Sequence, residues 1–143
     1  MSGYPVLMHT VLDARDCRGL AEFYRELLGL DYREGEEPPP AGEEDDVDWI
    51  VLLDGSGRRV LAVQEKEDLV PSTWPDEDVP MQLHLDFEVA SLDELHLHRH
   101  RAEQLGARLL LDRSDDVEEP LYVLADPEGH PFCLLTEGEL GDV

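Results

Sequence analysis

The sequence predicts an α+β fold of two βαβββ modules forming a cupped, mostly antiparallel mixed sheet around a cleft. Three observations predict it. The order strand, helix, strand, strand, strand reads twice along the 143 residues. Each copy opens on a strand-like run with a histidine inside it, PVLMHTVLD at residues 5–13 and MQLHLDFEV at residues 81–89. Each helical stretch ends in Leu-Gly, and Gly29 and Gly106 follow His9 and His84 by 20 and 22 residues.

The elements follow in order. Residues 5–13 are apolar enough for a strand. Asp16 is placed to cap a helix over 17–28, in which Leu20, Phe23, Tyr24, Leu27 and Leu28 fall on one face. Gly29 stands where a left-handed residue ends a helix, and residues 30–33 form a short strand. Residues 34–48, EGEEPPPAGEEDDVD, have almost nothing to bury. They read as a solvated, disordered connection or, alternatively, as a lid over a neighbouring cavity. Strands over 49–53 and 60–64 flank the turn Asp54-Gly55-Ser56-Gly57.

The pattern then restarts. Module 1 is placed at residues 5–66, a proline-rich linker at 67–80 and module 2 at 81–137, the whole of 1–143 making one domain. A strand over 83–89 is followed by Ser91 and Glu94, a capping box for a helix over 91–105. Strands over 108–111, 121–125 and 132–135 complete the copy, the last two flanking Asp126-Pro127-Glu128-Gly129. Such a module has a helix for one sheet face only, so the other face must be closed by the second copy or by another chain.

Charge narrows the partners. With 35 acidic against 11 basic residues and a formal charge of −24, the surface repels phosphate backbones and anionic lipid, so neither nucleic acid nor membrane is expected. A salt-tolerant or high-GC bacterial source would account for such acidity. No apolar run approaches the roughly 20 residues of a membrane span, and the N-terminus shows no signal-peptide pattern. Two cysteines, Cys17 and Cys133, make no disulfide framework. The expectation is a cytoplasmic protein.

Several motifs in this order carry a resemblance: His9 in the first strand, Phe23-Tyr24-x-x-Leu27-Leu28-Gly29-Leu30, His84-Leu85-Asp86, Leu105-Gly106-Ala107 and Asp126-Pro127-Glu128-Gly129-His130-Pro131. The chain resembles the vicinal oxygen chelate superfamily, which includes glyoxalase I, extradiol dioxygenases and the bleomycin and fosfomycin resistance proteins. Trp74-Pro75 followed by Gln82-x-His84-x-Asp86 looks like the glyoxalase-like branch common in actinobacteria. The resemblance implies a homodimer and a small-molecule ligand. It also implies one divalent metal (Zn, Ni, Mn or Fe), with His9 and His84 at the first-strand ligand positions.

The glutamates such a site needs are missing. The resemblance places one seven residues after the aspartate of the Asp-Pro turn, where this chain has Cys133. In the first copy the matching residue is Leu61, Ala62 or Gln64, depending on register. Cys133 serves as a thiolate ligand or as a small buried hydrophobe. Gln64 and Trp49 are further candidates for contact with a ligand, against a solvent-facing strand end and core packing. Trp74 lines an apolar pocket or anchors the linker. Asp86 shares the strand face of His84 and is placed to orient it. In His96-x-His98-x-His100 the projection puts His98 toward the sheet and the other two in solvent.

Two functions are therefore expected. One is a metal-dependent lyase, isomerase or dioxygenase with a degenerate ligand set. The alternative is a metal-free protein that binds or sequesters a small apolar or cationic ligand.

Overall fold

The computed structural model describes residues 3–137. The chain forms two compact units, one up to Leu69 and one from Val70. Unit 1 runs β1 (Thr10–Ala14), α1 (Cys17–Leu28), β2 (Asp31–Tyr32), β3 (Trp49–Leu53) and β4 (Arg59–Glu65). Unit 2 runs β5 (Leu85–Glu88), α2 (Leu92–Gln104), β6 (Arg108–Arg113), β7 (Leu121–Ala125) and β8 (Pro131–Leu135). Their sheets have the same topology, β1-β4-β3-β2 and β5-β8-β7-β6. In each, the first strand pairs parallel with the last and the remaining pairs are antiparallel. The class is α+β, with the βαβββ order present twice.

Local chemistry fixes the helices. The Asp16 side chain accepts the Gly19 N–H at 3.0 Å, and Gly29, at φ 67°, donates its own N–H to the Arg25 carbonyl. A side chain at that φ costs energy, which is why glycine stands there. Cys17, Leu20, Ala21, Phe23, Tyr24 and Leu27 form the buried side of α1. That side lies against β1, β3 and β4, where Leu12, Ala14, Ile50, Leu52, Leu61 and Val63 are buried in turn. In unit 2, Ser91 Oγ accepts the Glu94 N–H at 3.1 Å, and Glu94 Oε2 accepts the Ala90 N–H at 3.2 Å. The inner side of α2 is thinner: Leu95 and Ala102 are its buried residues.

The two hairpin turns repeat each other. Asp54 Oδ1 accepts the N–H groups of Ser56 and Arg58 at 2.8 and 3.1 Å. Asp126 Oδ1 accepts those of Glu128 and His130 at 2.9 and 3.0 Å. Each turn closes with a glycine at positive φ, Gly57 at 86° and Gly129 at 94°. One difference matters for the site. Leu52 faces Leu61 but Leu53 faces Arg59, so Val60 is an extra residue in β4. The β7–β8 pair has no such bulge.

Three expectations need correction. The first strands begin later than residues 5 and 83, so His9 and His84 stand immediately before β1 and β5 rather than inside them. The ladder partner sets the limit: β1 first pairs at Thr10 with Leu61, and β5 first pairs at Leu85 with Phe132, one residue past the proline that opens β8. Residues 34–48, read as a disordered connection or a lid, are tied to β3 by Glu36, whose Oε1 accepts the Val51 N–H at 2.9 Å, and to α1 by Arg18. The Arg18 guanidinium donates to the Glu36 and Glu37 carbonyls at 2.7 and 3.4 Å and pairs with Asp45 at 2.8 Å. Finally, His96 rather than His98 reaches the sheet, its Nδ1 lying 2.7 Å from the Tyr122 hydroxyl on β7. His98 instead meets Arg101 at 2.9 Å. A long phenol extends the reach of the sheet to a flanking helix position that the projection counted as outward.

The loop gives a direct test. Arg18→Ala removes all of the anchors to α1 at once. Limited proteolysis at the acidic residues of 34–48 should accelerate several-fold in the variant while far-UV circular dichroism stays unchanged. Unaltered cleavage would show that the loop is held by something other than Arg18.

Candidate functional site

Strand alternation gives each sheet a second face, away from its helix. In unit 1 that face carries Val11 and Asp13 of β1, Trp49 and Val51 of β3, and Ala62 and Gln64 of β4. The register aligns them in rows: Val11, Ala62 and Val51, then Asp13, Gln64 and Trp49. His9 precedes the first row with the same parity. Its ring is half-buried, with its centroid 6.0 Å from that of Trp49 and tilted by 57°. His9 Nδ1 is buried and has no hydrogen-bond partner among the described residues. Gln64 is exposed, and its Nε2 donates to Asp13 Oδ1 at 2.7 Å.

The same face of unit 2 is more polar. The parallel register sets Asp86 directly beside Cys133. His84, two residues before Asp86, brings its Nε2 to 3.2 Å from Asp86 Oδ1. One ligand atom from each of His84, Asp86 and Cys133 lies within 4.8 Å of the other two. Among the described residues this is the one such trio of histidine, cysteine and acidic side chains. The Cys133 thiol is pushed up to about 12 by burial, by the hydrogen bond it donates to Asp86, and by the charges of Asp86 and Glu119. It is therefore a thiol at neutral pH, unsuited to nucleophilic attack on its own.

Comparing the registers settles which residue of unit 1 corresponds to Cys133. The residue two after each histidine, Val11 or Asp86, pairs with Ala62 or Cys133. The match is Ala62, shifted one place by the extra Val60. Unit 1 thus has His9, Val11 and Ala62 where unit 2 has His84, Asp86 and Cys133. Of the five side chains expected to touch a ligand, His9, Trp49 and Gln64 share one face in unit 1, and His84 and Cys133 share one in unit 2. Asp86 was legible as a neighbour of His84 but not of Cys133, because no sequence signal gives the register between β5 and β8.

The sequence matches the family described as Glyoxalase-like domain over residues 9–135. No curated protein matches it. Solved structures share the fold at low identity. A glyoxalase/bleomycin resistance protein/dioxygenase family enzyme from Burkholderia phytofirmans aligns with TM-score 0.65 at 16% identity, covering 91% of this chain and 97% of that one. A related domain from Frankia gives 0.63 at 19%, covering 96% of each chain. A mutant fosfomycin resistance protein, FosX, from Listeria monocytogenes gives 0.66 at 17%, covering 96% of this chain and 95% of that one. That protein was solved complexed with Mn(II) and 1S,2S-dihydroxypropylphosphonic acid.

Mn(II) prefers oxygen and imidazole ligands. Val11 and Ala62 offer none, and a thiol that keeps its proton is a poor one. The residues of this chain do not fit a hard ion of that kind. The trio that clusters, in unit 2, provides one nitrogen, one oxygen and one sulfur.

Proposed function

The chain belongs to the glyoxalase-like domain family, and on that premise we propose that it binds or sequesters a small molecule through the helix-free face of unit 1. The observation that carries this reading is His9 Nδ1, buried without a partner. Leaving such a group unpaired costs about 1–3 kcal/mol, and native structures leave few of them. A polar group on a ligand would recover that energy. Trp49 beside it supplies an aromatic surface, and Asp13 with Gln64 a polar edge. The formal charge of −24 draws cations toward the protein. An aromatic body bearing an ammonium group matches these features, by hydrogen bonding and by cation–π attraction.

Fluorescence tests the reading. In a Trp74→Phe background, phenethylamine is expected to alter Trp49 emission saturably. His9→Ala should weaken that binding by about 10–100-fold, the equivalent of a buried hydrogen bond to a charged group. Equal affinity with and without the imidazole would remove the basis of the proposal.

A second reading, a metal-dependent lyase, isomerase or dioxygenase, is favoured by one observation, the cluster of His84, Asp86 and Cys133. These side chains would hold the ion. Once bound, it would supply Lewis acidity to an oxygen-bearing ligand. A bacterial, cytoplasmic homodimer belongs to the same proposal, as expected for the family. Among the described residues no helix is long and apolar enough to cross a membrane.

A further inference from the structure

We propose that the ligand of unit 1 carries a second hydrogen-bond donor at the end opposite its ammonium group and donates it to Asp13, so that the site selects para-hydroxylated arylalkylamines of the tyramine type. The inference rests on the reading above, in which the ammonium meets His9 and the aromatic body lies against Trp49.

The strand register sets the length of the ligand. His9 stands four residues before Asp13 with the same parity. At roughly 3.3 Å per residue the two side chains leave one sheet face about 13 Å apart. Trp49 links the two levels. Its backbone lies in the row of Asp13 and Gln64, yet its ring centroid is 6.0 Å from that of His9. The indole therefore leans along the sheet from the Asp13 row toward the imidazole and lines the path between them. Val11, 40% exposed, stands between His9 and Asp13 on the same face and adds apolar surface.

A ligand on this path has one end at His9 Nδ1, buried without a partner among the described residues, and the other at the Asp13 carboxylate. In extended tyramine the nitrogen and the phenolic oxygen are roughly 8 Å apart, and a hydrogen bond of roughly 2.7–2.9 Å at each end brings the span to about 13–14 Å. Phenethylamine lacks the oxygen and stops short of Asp13. The carboxylate is suited to a hydroxyl donor. Its Oδ1 accepts the Gln64 Nε2–H at 2.7 Å, which holds it in the row, and a carboxylate offers about four lone-pair positions. It accepts an O–H strongly and has no proton to give, so the methyl ether of the same amine gains nothing from it.

Calorimetric titration of chelator-treated full-length protein compares these amines directly. Tyramine is expected to bind about tenfold tighter than phenethylamine, the low end for a hydrogen bond to a charged group because Gln64 leaves that end of the path exposed. The meta isomer of tyramine, whose hydroxyl leaves the long axis, should show no such gain, and neither should the methyl ether. Asp13→Ala should bring the tyramine-to-phenethylamine affinity ratio close to one, with circular dichroism checking its fold. If that variant does not fold, the isomers and the ether decide the matter in the wild type. Tyramine no tighter than phenethylamine, a gain shared by the meta isomer or the ether, or a preference surviving in folded Asp13→Ala would each overturn the assignment. Phenethylamine binding without these gains would sink this inference alone. Binding of neither amine would sink the reading it rests on as well.

Discussion

Replacing Phe132 with alanine is expected to destabilise the protein by about 3–5 kcal/mol, the usual range for deleting a buried phenyl ring. Phe132 is fully buried at the centre of unit 2. It stands on β8 between Leu85 and Leu124, and its ring centroid lies 5.8 Å from that of Phe87. The thin apolar side of α2 leaves few neighbours able to move into the space. Such a loss is comparable to the whole stability of many domains, commonly about 5–15 kcal/mol. The urea midpoint should fall sharply with little change in slope. Leu111→Ala, at a position 38% exposed, should shift it little. A Phe132 variant as stable as the wild type would mean that the unit 2 core is organised differently.

Alkaline pH should weaken the fold through Cys17. Its side chain is 1% exposed, and its thiol is pushed from 9.0 up to about 12 by burial first, with the charges of Glu65, Asp48 and Asp16 adding. The folded value lies above the unfolded one, so the protonated thiol favours the native state. This contribution is complete below pH 9, where both states are protonated. It is lost as pH rises toward 12, because the unfolded thiol ionises and the folded one does not. A shift of that size corresponds to a loss on the order of 2–3 kcal/mol by pH 11. Denaturant midpoints across pH 8–11 should fall more steeply in the wild type than in Cys17→Ala. Parallel curves would show that the thiol is not held protonated. Cys17 also donates a weak hydrogen bond to the Val63 carbonyl at 3.4 Å, which the alanine variant lacks at every pH.

Much of the fold could be read from local chemistry. Asp16, Ser91 and Glu94 mark helix starts because their side chains satisfy nearby N–H groups. Gly29, Gly57 and Gly129 mark ends and turns through positive φ. What escaped depends on distant partners. β1 and β5 start where they first pair with β4 and β8, at Leu61 and Phe132, not where the apolar runs around His9 and His84 begin. The acidic stretch 34–48 looks incapable of order until Arg18, sixteen residues before it, is seen to hold its carbonyls. Ala62 rather than Leu61 corresponds to Cys133 because of a single extra residue, Val60. The pairing of Asp86 with Cys133 follows from a ladder that no local pattern encodes.

The site was legible in the same uneven way. The histidines and the absence of the usual glutamates could be read directly. The division of labour could not: unit 1 has an unpartnered imidazole nitrogen beside a tryptophan, and unit 2 holds the metal-competent donors. This division separates binding of an organic ligand from any binding of a metal, so each can be tested without the other.

The most direct test of the central claim is the nitrogen NMR spectrum of the His9 ring in metal-free protein during titration with phenethylamine. A ligand hydrogen-bonding to Nδ1 should shift that resonance saturably, together with the Trp49 indole Nε1, while the exposed His100 stays still. Shifts of this kind at the affinity read by fluorescence would place the ligand on the helix-free face of unit 1. Saturable binding that leaves both His9 and Trp49 unmoved would contradict the account.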